Sequence, residues 1–184
     1  MARFPHHTIE TAPAAARPIL QGVIDASPEI PFVLDIWAAM AESALTLEAY
    51  VAFRRAIEDY ATLGPRVRSA ISLAVGNAIG GRYSPAINGR IALRAGWNPG
   101  EVEALRRGET RDVRLGAVLT LAREAAERGG RVSDSTWSAA VATGWTPAEL
   151  AEAFVIATLV SFIDGFAAFA DVELDEAFRA VPVA

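Results

Sequence analysis

The sequence has no cysteine and no lysine. The first absence excludes catalysis by a thiolate of this chain, cysteine metal sites and disulfides. The second excludes a lysine Schiff base. All 17 basic side chains are arginines, which stay charged and suit forked contacts with oxyanions. Histidine is confined to His6 and His7. Without an HExxH pattern or an internal histidine, neither a metal site nor a cofactor is expected. The net charge of −5 offers no basic excess for nucleic acid. The opening residues, MARFPHHTIETAP, lack the apolar core of a signal peptide. The longest apolar run, AFVIATLVSFI (153–163), has eleven residues, too few to span a bilayer. It reads as part of a buried helix in a soluble, cytoplasmic protein with no membrane partner.

Apolar residues are plentiful. The 184-residue chain is 52% hydrophobic and 21% charged, which suits one globular domain. Apolar positions recur at three- and four-residue spacing, and no segment alternates in the manner of a strand. The expected fold is an all-α, single-domain bundle of about eight helices. Residues 1–13, with Pro5 and Pro13, read as a flexible arm, and 14–184 as the helical domain. SPEIP (27–31) breaks a first helix, because each proline removes a donor and restricts its predecessor. A short helix carrying Phe32, Ile36, Trp37 and Met40 follows, and Thr46 is expected to cap a longer one that Gly64-Pro65 ends. GWNPGEV (96–102) and GWTPAEL (144–150) lie 48 residues apart. Each holds a cap, a first-turn proline and a glutamate that closes a capping box. They read as two copies of one helix–turn–helix device, in the manner of an internal duplication. The final helix, 147–170, is apolar nearly all round, which places it in a core or a subunit interface.

The chain is organised around LGPRVRSAISLAVGNAIGGRYSPAINGRIALRAG (63–96). Val67, Ala70, Ile71, Ala74, Val75 and Ala78 mark one amphipathic helix, and Gly80-Gly81 breaks it. Ser84 then reads as the N-cap of a second helix, with Pro85 at its first position. This layout resembles the carboxymuconolactone decarboxylase and alkylhydroperoxidase D-like family, whose redox branch carries Glu-x11-Cys-x2-Cys-x3-His. The glutamate falls on Ser69, the cysteines on Gly81 and Ser84, and the histidine on Asn88. The segment IPFVLDIWAAMAESALTLEAY is similar to the N-terminal extension of peroxidase-related members, so the resemblance runs over roughly 28–178.

The resemblance implies an alkylhydroperoxidase D-like helical fold, a homo-oligomer and a site where the two central helices meet. With glycine and serine at the cysteine positions, peroxidase activity by the family's thiol mechanism is excluded. The family's non-redox branch works on lactone carboxylates by acid/base chemistry, which implies a small carboxylate or lactone ligand. Arg82 would then hold the carboxylate, Asp164 or Tyr83 would move the proton, and Ser84 and Asn88 would touch the ligand. Plain structural roles stand beside these. Ser84 caps a helix, Asn88 makes a structural bond, Tyr83 packs, and Ser69 fills the old glutamate's place. Arg90 and Arg94 share a face, either with Arg82 around a carboxylate or solvated beside Glu101 or Glu103. Asp164, inside an apolar helix, must be paired, protonated or turned toward a cavity. Two functions follow: a cysteine-free enzyme or binder that keeps the pocket, or a catalytically dead oligomeric pseudoenzyme. An open pocket beside Ser84, Asn88 and an arginine favours the first. A volume filled by Ile87, Ile91 and aromatic rings favours the second.

Overall fold

A computed structural model describes residues 2–27, 30 and 32–179. Pro28 and Pro31 of the expected break, and the tail beyond Arg179, lie outside the described residues. Among the described residues there are ten α-helices and no strand. In chain order they are α1 (Arg17–Asp25), α2 (Asp35–Met40), α3 (Ala44–Tyr60), α4 (Pro65–Ala78) and α5 (Tyr83–Arg94). Then come α6 (Pro99–Arg106), α7 (Val113–Glu127), α8 (Asp134–Ala142), α9 (Pro147–Ala170) and α10 (Glu176–Arg179). The count exceeds the expected eight in part because α10, at four residues, is too short to show a period.

The two GW motifs are parts of a larger repeat. Trp97 donates its indole N–H to the Arg66 carbonyl at 3.1 Å, and Trp145 does the same to Arg114 at 2.7 Å. The guanidinium of each arginine lies over its tryptophan ring, 3.7 Å from the centroid for Arg66 and 4.2 Å for Arg114. Each arginine also donates to the carbonyl of the glycine before the tryptophan, Gly96 or Gly144. Both glycines adopt positive φ, +89° and +94°, where a Cβ would be strained. Asn98 and Thr146 then open α6 and α9 with full capping boxes to Glu101 and Glu149. The trio α4, α5, α6 thus corresponds to α7, α8, α9. The expected duplication extends from a turn to three helices.

Two apolar cores lie side by side. One joins α4, α6, α7 and α9 through residues such as Ile71, Leu105, Leu119 and Ile156. The other joins α1, α2 and α3 to one end of α9 through Leu20, Trp37, Leu47 and Ala167. Helix α5 belongs to both, with Ala92 in the first and Tyr83 in the second. The central pair of helices therefore sits on the seam between the cores.

Helix α9 runs through the middle and packs on α3, α4, α5 and α7. It is longer than the eleven-residue run suggests. Over 24 residues it is long and apolar enough to cross a membrane, with an 18-residue window of mean hydropathy 2.0. Here it buries eight residues in the bundle, Asp164 among them. Residues of the expected N-terminal arm make contacts with the bundle. The Arg3 N–H donates to the Ala170 carbonyl at 2.9 Å, Phe4 stacks on Phe166, and His7 bonds Glu42 at 2.8 Å. Ala12 is buried with the second core.

Two expected boundaries change. Ser43, not Thr46, caps α3, accepting from the Thr46 N–H. Gly64-Pro65 does not close that helix but opens α4, with proline in the first turn, where its missing N–H costs nothing.

Candidate functional site

The site begins at the break between α4 and α5. Gly80 takes φ +69°, and the chain enters α5 at Tyr83. Ser84 is not the cap. It lies inside the first turn, because a stronger acceptor has taken the cap's task. Oδ1 of Asp164, from α9, accepts the backbone N–H of Tyr83 at 3.0 Å and of Ser84 at 2.9 Å. A carboxylate satisfies orphan N–H groups at the positive end of a helix better than a hydroxyl does. Asp164 is 6% exposed. Burial pushes its carboxyl above the usual aspartate range, and the N–H groups of Ser84 and Tyr83 offset part of that push.

This arrangement needs glycine at position 81. A Cβ there would stand 2.1 Å from Asp164 Oδ2. The carboxyl occupies the space that a side chain at Gly81, the first cysteine position of the resembled motif, would need. A side chain at 81 and the Asp164 cap in this position exclude one another.

The Ser84 hydroxyl is buried at 1% exposure beside the Asp164 carboxyl, and its hydrogen bonding also helps to lower that carboxyl's pKa. Ser84 borders a cavity of about 290 Å³ on the seam between the two cores. Its apolar wall includes Ile30, Ile87, Ile91, Leu159 and Ile163. Its polar wall includes Arg54, Arg68, Ser69, Ser72 and Asn88. Ser69, Ser84 and Asn88, three of the four motif positions, are thus brought together. Ser69 is 3% exposed and donates to the Arg66 carbonyl at 3.0 Å, while Asn88 donates its amide to the Ser84 carbonyl at 2.9 Å.

The remaining candidates lie elsewhere. The Tyr83 hydroxyl donates to Asp175 and accepts the Ile36 N–H at 3.3 Å. Burial, then the Asp175 carboxylate, drive its pKa far above the usual phenol range, so it holds its proton and braces α2 and α5. Arg82 borders a separate recess on the opposite side of α5. Arg90 is in that recess too, but neither Glu101 nor Glu103 partners it. It donates to the Ala177 carbonyl and lies 4.4 Å over the Phe178 ring. Glu101 serves the Asn98 capping box, and Glu103 pairs with Arg106 at 3.1 Å.

Arg54, Arg68 and Ser72 are cavity residues that sequence reading missed. One signal was present. Arg68 and Ser72 are i, i+4 with Ser69 beside them, a polar stripe on the largely apolar helix α4. Arg54 donates to Tyr50 Oη at 3.4 Å and pairs with Glu58 at 3.2 Å. Among the described residues Glu58 is the one carboxylate in the cavity wall. Among the described residues no cluster of three His, Asp or Glu side chains could hold a metal ion.

No protein-family model matches the chain, and no curated protein matches its sequence. Solved structures do match its shape. An alkylhydroperoxidase AhpD core from Ralstonia eutropha JMP134, an uncharacterized peroxidase-related protein, superposes with a TM-score of 0.83 at 17% identity. That match covers 100% of this chain and 97% of the other. A peroxidase-related protein from Silicibacter sp. TM1040 gives 0.78 at 13% identity, over 96% and 92% of the two chains. A cysteine-to-alanine variant of the debrominase Bmp8, in complex with 2,3,4-tribromopyrrole, gives 0.79 at 17% identity, over 98% and 95%. Whole-length superposition at this level, on a chain that keeps the motif's spacing without its chemistry, shows that this protein has the all-α alkylhydroperoxidase D-like fold.

Proposed function

We propose that the chain is a cysteine-free small-molecule binder that uses the cavity between its two cores. The observation that carries this reading is the cavity itself. Three motif positions border an open, mixed-polarity space, whereas a site abandoned to packing would close over Ile87 and Ile91. About 290 Å³ is at the small end of ligand sites, enough for a substituted ring. The neighbour that holds 2,3,4-tribromopyrrole carries a ligand of that size in the same fold. The favoured ligand is a small carboxylate or lactone. Its apolar body would lie on the isoleucines, and its oxygens would face Arg54, Arg68 and Asn88.

Binding is favoured over catalysis by the walls. They hold no thiol or imidazole, the Tyr83 hydroxyl is committed to Asp175, and Glu58 is paired with Arg54. An amide at Asn88 cannot take a proton from Ser84.

The test is a thermal-shift titration with small aromatic and aliphatic carboxylates and their lactones. A native-state ligand raises the melting temperature with its occupancy, by RT ln(1 + [L]/Kd). The expected result is a saturable rise that Asn88→Leu, which fills the cavity, and Arg68→Gln both remove. No rise with any compound, on a protein that melts cooperatively, would favour the pseudoenzyme instead.

A further inference from the structure

The face of α5 opposite the cavity builds a second site. Ser84, Ile87, Asn88 and Ile91 point to the cavity, whereas Arg82, Gly89 and Arg90 line a recess of about 470 Å³. Arg106 reaches this recess from α6, so three guanidiniums from a loop and two helices line it, while among its described lining residues Glu103 is the one carboxylate and Asp171 lies close enough to Arg82 to feel its charge. That local excess runs against a chain whose net charge is −5. Two of the three are held in place before any ligand arrives. Arg90 rests on Phe178 and donates to the Ala177 carbonyl. Arg106 is paired with Glu103, and its Nη2 passes over Gly89, where a Cβ would stand 2.7 Å away. Any other residue at 89 would force Arg106 to move.

We infer that this recess binds a small oxyanion carrying two or more negative charges, held by Arg82, Arg90 and Arg106. Guanidiniums fixed by stacking and ion pairing lose little freedom on binding, and their planar forks match phosphate and carboxylate oxygens alike. A phosphate ester and a di- or tricarboxylate share this chemistry. The site is independent of the cavity, since α5 stands between them.

The experiment is calorimetric titration of the full chain at low ionic strength with pyrophosphate, citrate and, as a monoanion control, acetate. Saturable binding of pyrophosphate or citrate, and none of acetate, is expected. Tighter binding of pyrophosphate marks a phosphate ligand, and tighter binding of citrate a polycarboxylate. Arg82→Gln, at the exposed rim, and Arg106→Gln should each weaken binding about tenfold or more, the usual worth of a charge-assisted bond. Asn88→Leu in the cavity should leave it unchanged. The inference is overturned if neither polyanion binds, if acetate binds equally, or if both arginine variants keep wild-type affinity while remaining folded by circular dichroism.

Discussion

Asp164 decides the chemistry at the smallest scale. Its carboxyl caps α5 and fills the space beside Gly81. The sequence marked it as a buried acid that must be paired, protonated or turned to a cavity, but not which donors it would meet 80 residues earlier. Its raised pKa has a defined consequence. A carboxyl raised in the folded state adds stability that is complete below the ordinary carboxylate range and is lost as pH rises through the folded value. Asp164→Asn keeps an oxygen for the same two N–H groups and removes the titration. Wild type should therefore lose stability relative to the variant as pH rises above about 4, by at most about 1.4 kcal/mol per pH unit. Urea denaturation of both proteins from pH 4 to 8 measures this. A difference that is flat with pH would show that the carboxylate ionises in place without penalty.

At the level of elements, the repeated arginine–tryptophan–cap device orders the bundle. It was half legible. The glycine, tryptophan, cap and proline are adjacent in sequence, so both copies could be read. The arginines that stack on the tryptophans lie 31 residues earlier, where only the fold joins them. The caps themselves act locally. Asn98 opens the eight-residue α6 and Thr146 the 24-residue α9, yet each satisfies the same N3 donor. Asn98→Ala and Thr146→Ala should thus cost similar amounts, about 1 kcal/mol each, despite the threefold difference in helix length. Chemical denaturation compares them directly, and a Thr146 cost several times larger would mean that the whole of α9 depends on its first turn.

Across the whole molecule, the open question is whether two cores make two folding units. Helices α5 and α9 contribute to both, and α9 packs on α3 as well as on α4 and α7. Shared helices of this kind couple the cores, so unfolding should be a single transition. Trp37 reports one core and Trp145 the other. Variants that keep only one of these tryptophans should give fluorescence transitions that coincide with each other and with circular dichroism. Separate midpoints would show that the cores unfold independently.

Helical periodicity, glycine breaks and capping boxes are written within a few residues of one another, because they depend on 3.6-residue spacing and on local backbone donors. From these the sequence alone determined an all-α chain, most helix ends, the duplicated turn, and the exclusion of thiol and lysine chemistry. Where the start of α5 finds its acceptor was decided by tertiary structure, because Asp164 arrives from another helix. The same holds for the cavity, which needs α2, α3, α4, α5 and α9 together. It holds again for the division of labour on α5, where Ser84 and Asn88 turn to one space and Arg82 to another. A single helix can show which residues share a face, but only its neighbours settle what that face meets.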